Sequence, residues 1–394
     1  MSKLLFRLNP IIIKIKILIL LLISLVTMSA SAQNIEELKE FFTVYPNKKR
    51  VEADSTLYLQ KFILAPVVSY SPETSFSFGT GAKYLFKFNG SGEETRVSNM
   101  PVTVQYTLNN QFFLYSGFEV FTNQEKWVIE GNLLYQNYPR LFYGFGNDTP
   151  ETAEERYDYH QFLFEPIFLK QLFTRYLFIG GGVRINHIFN TEFEQNGLID
   201  MTRPTGFDGS TTVGVEVASL YDSRNNILNA NSGWYFETTY GLYNDIFGST
   251  HDFQLFRYDL RHYFPIKNKT KDVFAFQTIG QFTRGDIPFS EFSFFGSSEI
   301  MRGYREGRFV DRDMLALQVE YRKSFNNTRF GAVAFAGTGN VYRNVSDFQF
   351  NSLKPNYGIG LRYKIDKSEN LNIRLDWGFG EDKNNVYLSI AEAF

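Results

Sequence analysis

The sequence predicts an all-β fold, a sixteen-stranded antiparallel transmembrane β-barrel, and three observations carry that expectation. Many segments alternate apolar and polar residues with period two, 18% of the residues are aromatic, and the chain opens on an export signal. Beyond that signal no apolar run approaches the ~20 residues that a membrane helix needs.

The amino terminus comes first. Lys3, Arg7, Lys14 and Lys16 precede or interrupt a greasy start, the apolar run Ile17 to Val26 follows, and Ala30-Ser31-Ala32 stands before Gln33. A basic region, an apolar core and a small-residue site describe a secretory signal over 1–32 that is removed on export. The alternative is an uncleaved anchor helix over Ile11 to Val26, which Lys14 and Lys16 interrupt. With no cysteine there is no lipoprotein anchor and no disulfide. Loss of the four signal cations makes the formal charge of −2 more negative, so the composition offers nothing for nucleic acid. Residues 33–60, with a candidate short helix at Ile35 to Phe42, form a short periplasmic segment too small for a folded domain. Residues 61–394 then form the barrel.

A barrel strand is apolar towards lipid and polar towards the lumen. Leu371-Asn372-Ile373-Arg374-Leu375-Asp376-Trp377-Gly378-Phe379 alternates without a fault, as does Tyr357 to Asp366; Phe256, Tyr258 and Leu260 interleave with Arg257, Asp259 and Arg261. A water-soluble sandwich alternates too, but the signal, the aromatics at strand ends and the number of strands point to a barrel. Strands are expected at 61–71, 76–88, 99–108, 111–122, 125–135, 157–170, 173–187, 210–221, 232–243, 251–262, 271–283, 312–323, 328–341, 354–365, 370–380 and 385–394. An even number returns both ends of the barrel to one side. The long gaps 136–156, 188–209 and 284–311 follow odd-numbered strands and most gaps after even-numbered strands are short. That parity makes the long gaps outer loops and puts the turns at 222–233 and 366–369 in the periplasm.

Three groups of residues then stand out. The sixth outer loop holds Phe294-Phe295-Gly296 and Met301-Arg302-Gly303-Tyr304, with Glu320-Tyr321-Arg322 on the following strand. The turn after the eighth strand reads Asp222-Ser223-Arg224-Asn225-Asn226 and ends in Asn231-Ser232-Gly233. The tail carries Tyr357 to Arg362, Arg374-Leu375-Asp376, and Ser389 to Phe394. Together, in this order, they resemble the BamA/TamA superfamily of outer-membrane assembly and translocation barrels, also called the bacterial surface antigen family, over essentially all of 61–394. The resemblance implies an arginine-glycine-aromatic loop tip, a glutamate-bearing twelfth strand, and a lateral gate between the first and last strands. It also implies insertion or translocation of a client barrel, lipoprotein or lipid, in outer-membrane lipid, with a periplasmic partner protein. The repeated periplasmic POTRA modules usual in such machines have no counterpart in 33–60.

The charged loop gains a physical reading from this. In a polar lumen the planar fork of Arg302 can pair bidentately with a carboxylate, and Gly303 permits a sharp turn. Glu320 has lumen-facing parity and is the expected partner; a solvated surface loop is the alternative. The family's strand thirteen usually supplies an aspartate where this chain has Gly337, so either Glu320 holds the arginine alone or Asp376 substitutes. A proline usual in the inner turn is replaced by Ala230. Pro66 within the first strand removes a ladder donor and weakens the seam, unless that strand starts after it. The last strand presents Val386, Leu388, Ile390 and Phe394 outward, a row that Glu392 breaks.

Enzymatic readings find little support. Gly79-Thr80-Gly81, Gly180-Gly181-Gly182 and Gly337-Thr338-Gly339 lie on strands and form no phosphate loop. His160, His187, His251 and His262 lack metal-ligand spacing, and there is no nucleophile elbow. A barrel lipase assembled from separate strands stays open as an alternative, as does a passive channel or structural barrel. Neither a cofactor nor a metal is expected. Lumen charges of both signs, including Arg257, Asp259, Arg261, Glu320, Arg362, Lys364, Asp366 and Arg374, favour internal ion pairing over a strongly selective pore.

Overall fold

The computed structural model describes residues 60–71, 75–92, 95–266, 272–325, 327–366, 370–381 and 383–394. The expected signal peptide, nearly all of the 33–60 segment and most of the turn at 366–369 lie outside the described residues. The strands are β1 (Gln60–Ser71), β2 (Ser75–Phe86), β3 (Ser98–Thr107), β4 (Phe112–Phe121), β5 (Trp127–Phe142), β6 (Glu155–Gln171), β7 (Leu177–Phe193), β8 (Ser210–Asp222) and β9 (Gly233–Tyr243). They continue with β10 (Phe253–Pro265), β11 (Val273–Gly285), β12 (Ser293–Phe295), β13 (Phe309–Asp311), β14 (Asp313–Ser324), β15 (Phe330–Tyr342), β16 (Lys354–Asp366), β17 (Leu371–Phe379) and β18 (Asn384–Ile390). Sixteen of them close an antiparallel barrel in sequence order, β11 pairing with β14 and β1 with β18, while β12 and β13 form a small hairpin of their own. Among the described residues no helix is long and apolar enough to cross a membrane.

Alternation decides the two faces. On β16 Tyr357, Ile359 and Leu361 are about 60% exposed, whereas Asn356 and Arg362 are buried. On β17 Leu375 and Trp377 face out, and Asn372, Arg374 and Asp376 are buried. A barrel that pairs its strands around a ring, with an apolar outer face and a polar interior, is compatible with a membrane. Interior packing is accordingly split between ion pairs and small apolar clusters near the two ends, such as Phe121, Leu169, Phe178 and Leu220 at one and Phe142, Tyr157, Ile199 and Phe289 at the other.

The connections 143–154, 194–209 and 286–312 all leave one end of the barrel, and the short turns 122–126, 172–176 and 325–329 leave the other. β5 and β7 run on to Phe142 and Phe193, beyond their expected ends at 135 and 187, and β12 and β13 fall in the stretch expected as loop; two further boundaries differ for a visible reason. β7 begins at Leu177 rather than 173 because Phe173 takes φ +58° in the tight turn. β18 stops at Ile390 because Ala391 takes φ +72°, a left-handed residue that ends the ladder.

Candidate functional site at the tip of the longest loop

The connection from β11 to β14 does not stand in solvent. It turns back into the barrel and is gripped on opposite walls. Near its start Glu291 is buried against β7 and β8, accepting from Arg184 Nη1 at 3.0 Å, Asn186 Nδ2 at 2.6 Å and Thr212 Oγ1 at 2.8 Å. Burial by itself would push this carboxyl up, but the Arg184 charge and these donors hold it below its usual range. The β12–β13 hairpin then brings Phe295 and Phe309 onto the ring of Tyr304, with centroids 5.7 and 5.5 Å away.

The tip follows, with Met301 at φ +54° and Gly303 at φ +116°. Its guanidinium, Arg302, is fully buried. Nη1 donates to Asp376 Oδ2 at 2.6 Å, Nη2 donates to Glu320, and the fork lies 3.7 Å from the centroid of the Phe335 ring. The two carboxylates are shared further. Glu320 accepts from Arg322 Nε at 2.7 Å, and Asp376 accepts from Arg362 Nη1 at 2.5 Å and Arg374 Nη1 at 3.1 Å. Asp376 thus stands as the second partner of Arg302, on β17, two strands along the wall from the place on β15 that Gly337 leaves without a side chain.

The backbone of the tip is held as closely as its charge. Asn356 Nδ2 donates to the carbonyl of Arg302 at 2.8 Å, Asn385 Nδ2 to that of Gly303 at 2.6 Å, and the Tyr387 hydroxyl accepts from Gly303 N at 3.1 Å while donating to the Tyr304 carbonyl at 3.0 Å. The Tyr304 hydroxyl donates to the Pro355 carbonyl at 2.6 Å. Asn356, Asn385 and Tyr387 are not singled out by the sequence. Their lumen parity was readable, since each alternates with an outward residue, but the backbone groups they would meet were not.

The tail differs from its expected course. Glu392 does not break an outward row: past the bend at Ala391 it lies inside, accepting from Arg362 Nε and Asn372 Nδ2 at 2.7 and 2.6 Å. Phe394 is buried too, packed with Ala230, Tyr263, Val273 and Ala275, and its carbonyl oxygen accepts from Arg322 Nη2 at 2.7 Å. The physical reason is charge: an outward Glu392 would meet lipid, whereas two arginines and an amide await it in the lumen.

The turn after β8 is stapled within itself. Asp222 accepts from Arg224 Nε at 2.9 Å and from Arg96 Nη1, which reaches across from the β2–β3 turn, at 2.6 Å. Asn226 Oδ1 accepts from Leu228 N and Asn229 N, and Gly233 adopts φ +105° where a Cβ would sit 2.2 Å from the Ser223 carbonyl. Ala230, in the place of the usual proline, packs beneath the tail.

Pro66 lies inside β1, paired with Thr80 of β2, so the strand does not wait until after it. The other edge of β1 meets β18 at one register pair among the described residues, Tyr70↔Leu388, whereas β1 and β2 pair over twelve. Beneath the loop the lumen keeps a cavity of about 540 Å³ whose wall includes Glu119, Glu130, Arg224, Glu237, Arg257 and Asp259. No group of His, Asp and Glu among the described residues is arranged to hold a metal ion.

These features can be set beside known proteins. Among solved structures, BamA from Haemophilus ducreyi lacking POTRA domains 1–3 matches at 12% identity and TM-score 0.56, covering 93% of this chain and 78% of that one. CdiB from Acinetobacter baumannii matches at 12% identity and TM-score 0.55, covering 89% and 64%. CdiB from Escherichia coli matches at 11% identity and TM-score 0.57, covering 89% and 66%. The chain therefore spans just under two thirds of the two CdiB chains, and at these identities the likeness is one of fold. No curated protein matches significantly in sequence. The model of the Omp85 superfamily domain matches residues 76–394, which takes in both the arginine-bearing loop and its receptor, and the chain belongs to the Omp85 superfamily of outer-membrane β-barrels.

Proposed function

We propose that this barrel inserts or translocates a protein or lipid client through a lateral seam between β1 and β18, without enzymatic chemistry. It is exported by a cleaved signal peptide, and a periplasmic partner supplies the client, a barrel or lipoprotein precursor. One observation carries the reading: the seam is joined at Tyr70↔Leu388 while its neighbouring ladders run almost the length of their strands. Pro66, which has no N–H to donate, stands within β1. An unpaired edge at membrane depth leaves backbone groups without partners, and an added client strand would satisfy them.

The test is a disulfide across the seam in a chain that has no cysteine of its own. Tyr70→Cys with Leu388→Cys should oxidise readily, and the oxidised barrel should lose the envelope phenotype that wild type restores in a deletion strain, regaining it on reduction. Full restoration by the oxidised form would defeat the reading and favour a pore or scaffold, for which the 540 Å³ cavity provides space. Single-channel recording then separates those two.

The reading also fixes orientation, with the long connections outside. An impermeant maleimide should label Asp208→Cys on intact cells and leave Lys126→Cys untouched, both positions being exposed. The opposite pattern would turn the barrel over.

A further inference from the structure

The short-turn end of the lumen holds a separate cavity of about 290 Å³, walled by the turn 325–329, the strand ends beside it and the end of the connection from β8 to β9. Its wall is basic. Arg322, Arg329, Arg362 and Lys364 line it, and Glu392 is the one acidic residue of the lining among the described residues. Lys323 belongs to the other face, since it is exposed and alternates with the buried Arg322.

The pairing of these cations is incomplete. Arg322 gives Nε to Glu320 at 2.7 Å, and Arg362 gives Nη1 to Asp376 at 2.5 Å and Nε to Glu392 at 2.7 Å. Glu392 is also taken by Asn372. Arg329 has only backbone for company: its Nη1 donates to the carbonyls of Lys364 and Ile365 at 3.0 and 3.2 Å, and no carboxylate among the described residues pairs with it. Arg322, Arg329 and Arg362 are 6%, 5% and 5% exposed. Each keeps one nitrogen, Nη1, Nε and Nη2 respectively, buried without a hydrogen-bond partner among the described residues.

A buried guanidinium is costly unless a counter-charge and acceptors stand beside it. Three that leave donors unmet around one cavity, beside Lys364 and a single engaged carboxylate, form a receptor for an anion. The donor set also chooses the anion. A phosphate group brings three acceptor oxygens and up to two negative charges, a better match to three arginines than the two oxygens of a carboxylate. The space far exceeds the ~30 Å³ share of one water and reaches the lower end of small-molecule sites, so the phosphate can carry a small organic group. Asn229 and Asn231, on the same wall, supply neutral donors for that group.

We infer that this cavity binds a phosphate group, carried by a small soluble ester or by a phospholipid headgroup that enters at the short-turn face. The site needs neither the seam nor a client, and it stands or falls apart from the reading above.

Inorganic phosphate and glycerol phosphate are the probes, titrated calorimetrically into full-length protein in non-ionic detergent against sodium chloride of equal ionic strength. Both should bind saturably where chloride does not. Arg329→Gln and Lys364→Gln should each weaken binding by roughly tenfold or more, the loss of one charge-assisted hydrogen bond, while Lys323→Gln on the outward face leaves it unchanged. Arg329→Gln removes an uncompensated charge, so without phosphate its barrel should be at least as heat-stable as wild type by gel mobility, and it should lack the gain that phosphate gives wild type. Labelled phosphate on barrels in phosphatidylcholine vesicles then separates the sources: added phosphatidylglycerol displaces it if a headgroup reaches the site and leaves it in place if a soluble ester is the ligand. The assignment is overturned by an absence of saturable phosphate binding in detergent, or by equal losses in Arg329→Gln and Lys323→Gln. It is overturned too by an Arg329→Gln barrel that is less stable without phosphate yet gains from it as wild type does, which would make Arg329 a clasp for the 364–365 carbonyls and nothing more.

Discussion

Asp376→Ala should destabilise the folded barrel by about 3–5 kcal/mol, the cost of breaking a buried ion pair from one side, and by more than Arg302→Ala does. The asymmetry comes from the bookkeeping of the ring. Asp376 accepts from three guanidinium groups, those of Arg302, Arg362 and Arg374, and its loss leaves all three in a confined space with Glu320 and Glu392. Loss of Arg302 instead leaves Arg322, Arg362 and Arg374 each still paired with a carboxylate of Glu320, Asp376 or Glu392. Glu320→Ala should fall between the two, since Glu320 holds Arg302 and Arg322. Urea unfolding of the refolded variants in detergent measures the order. Arg302→Ala combined with Glu320→Ala should cost less than the sum of the single changes; strict additivity would mean that the two side chains do not interact.

Gly303→Ala should cost more than about 3 kcal/mol for one added methyl. A Cβ at this position, where φ is +116°, would lie 2.5 Å from the carbonyl carbon of Phe379 and 2.7 Å from the nitrogen of Gly380. Both are backbone atoms of the β17–β18 hairpin, so no side chain can swing aside. The contact is mutual: a Cβ on Gly378 would meet the carbonyl carbon of Arg302 and the nitrogen of Gly303, each at 2.7 Å. Gly303→Ala and Gly378→Ala should therefore produce one phenotype, a released loop that protease cuts near Arg302, and the double change should be little worse than either. A loop that stays protected in both would place the tip elsewhere in the lumen.

Much of this was legible in the sequence, because period two is a strong signal where one face meets lipid. The strands expected at 370–380 and 354–365 fell on β17 and β16 to within a residue, and the lumen parity of Glu320 and Asp376 sufficed to nominate them. What was not legible depends on backbone meeting side chain. Tyr387 and Asn385 looked like ordinary inward residues of a last strand, and their contacts with Gly303 and Tyr304 exist only once the loop has folded back. Glu392 was misplaced for a related reason: alternation extrapolates a straight strand, and it cannot foresee that a carboxylate at a lipid-facing position will bend the chain to reach Arg362. The choice between Glu320 alone and Glu320 with Asp376 was likewise one of distance, which strand spacing leaves open.

The receptor for the loop tip is built from β14, β16, β17 and β18, all later in the chain than the tip itself. The loop is thus made before anything can hold it, and its seating needs contacts as distant in sequence as Arg302 with Asp376 and Gly303 with Tyr387. Closing such long stretches of chain is entropically slow. Seating of the loop is therefore expected among the last events of folding, after the final hairpin has arrived. An unfinished barrel carries its charged tip unsheltered, and a chain interrupted before β17 cannot hide it at any stage. Protease sensitivity at Arg302 is then a clock for assembly, running until the moment the barrel is complete.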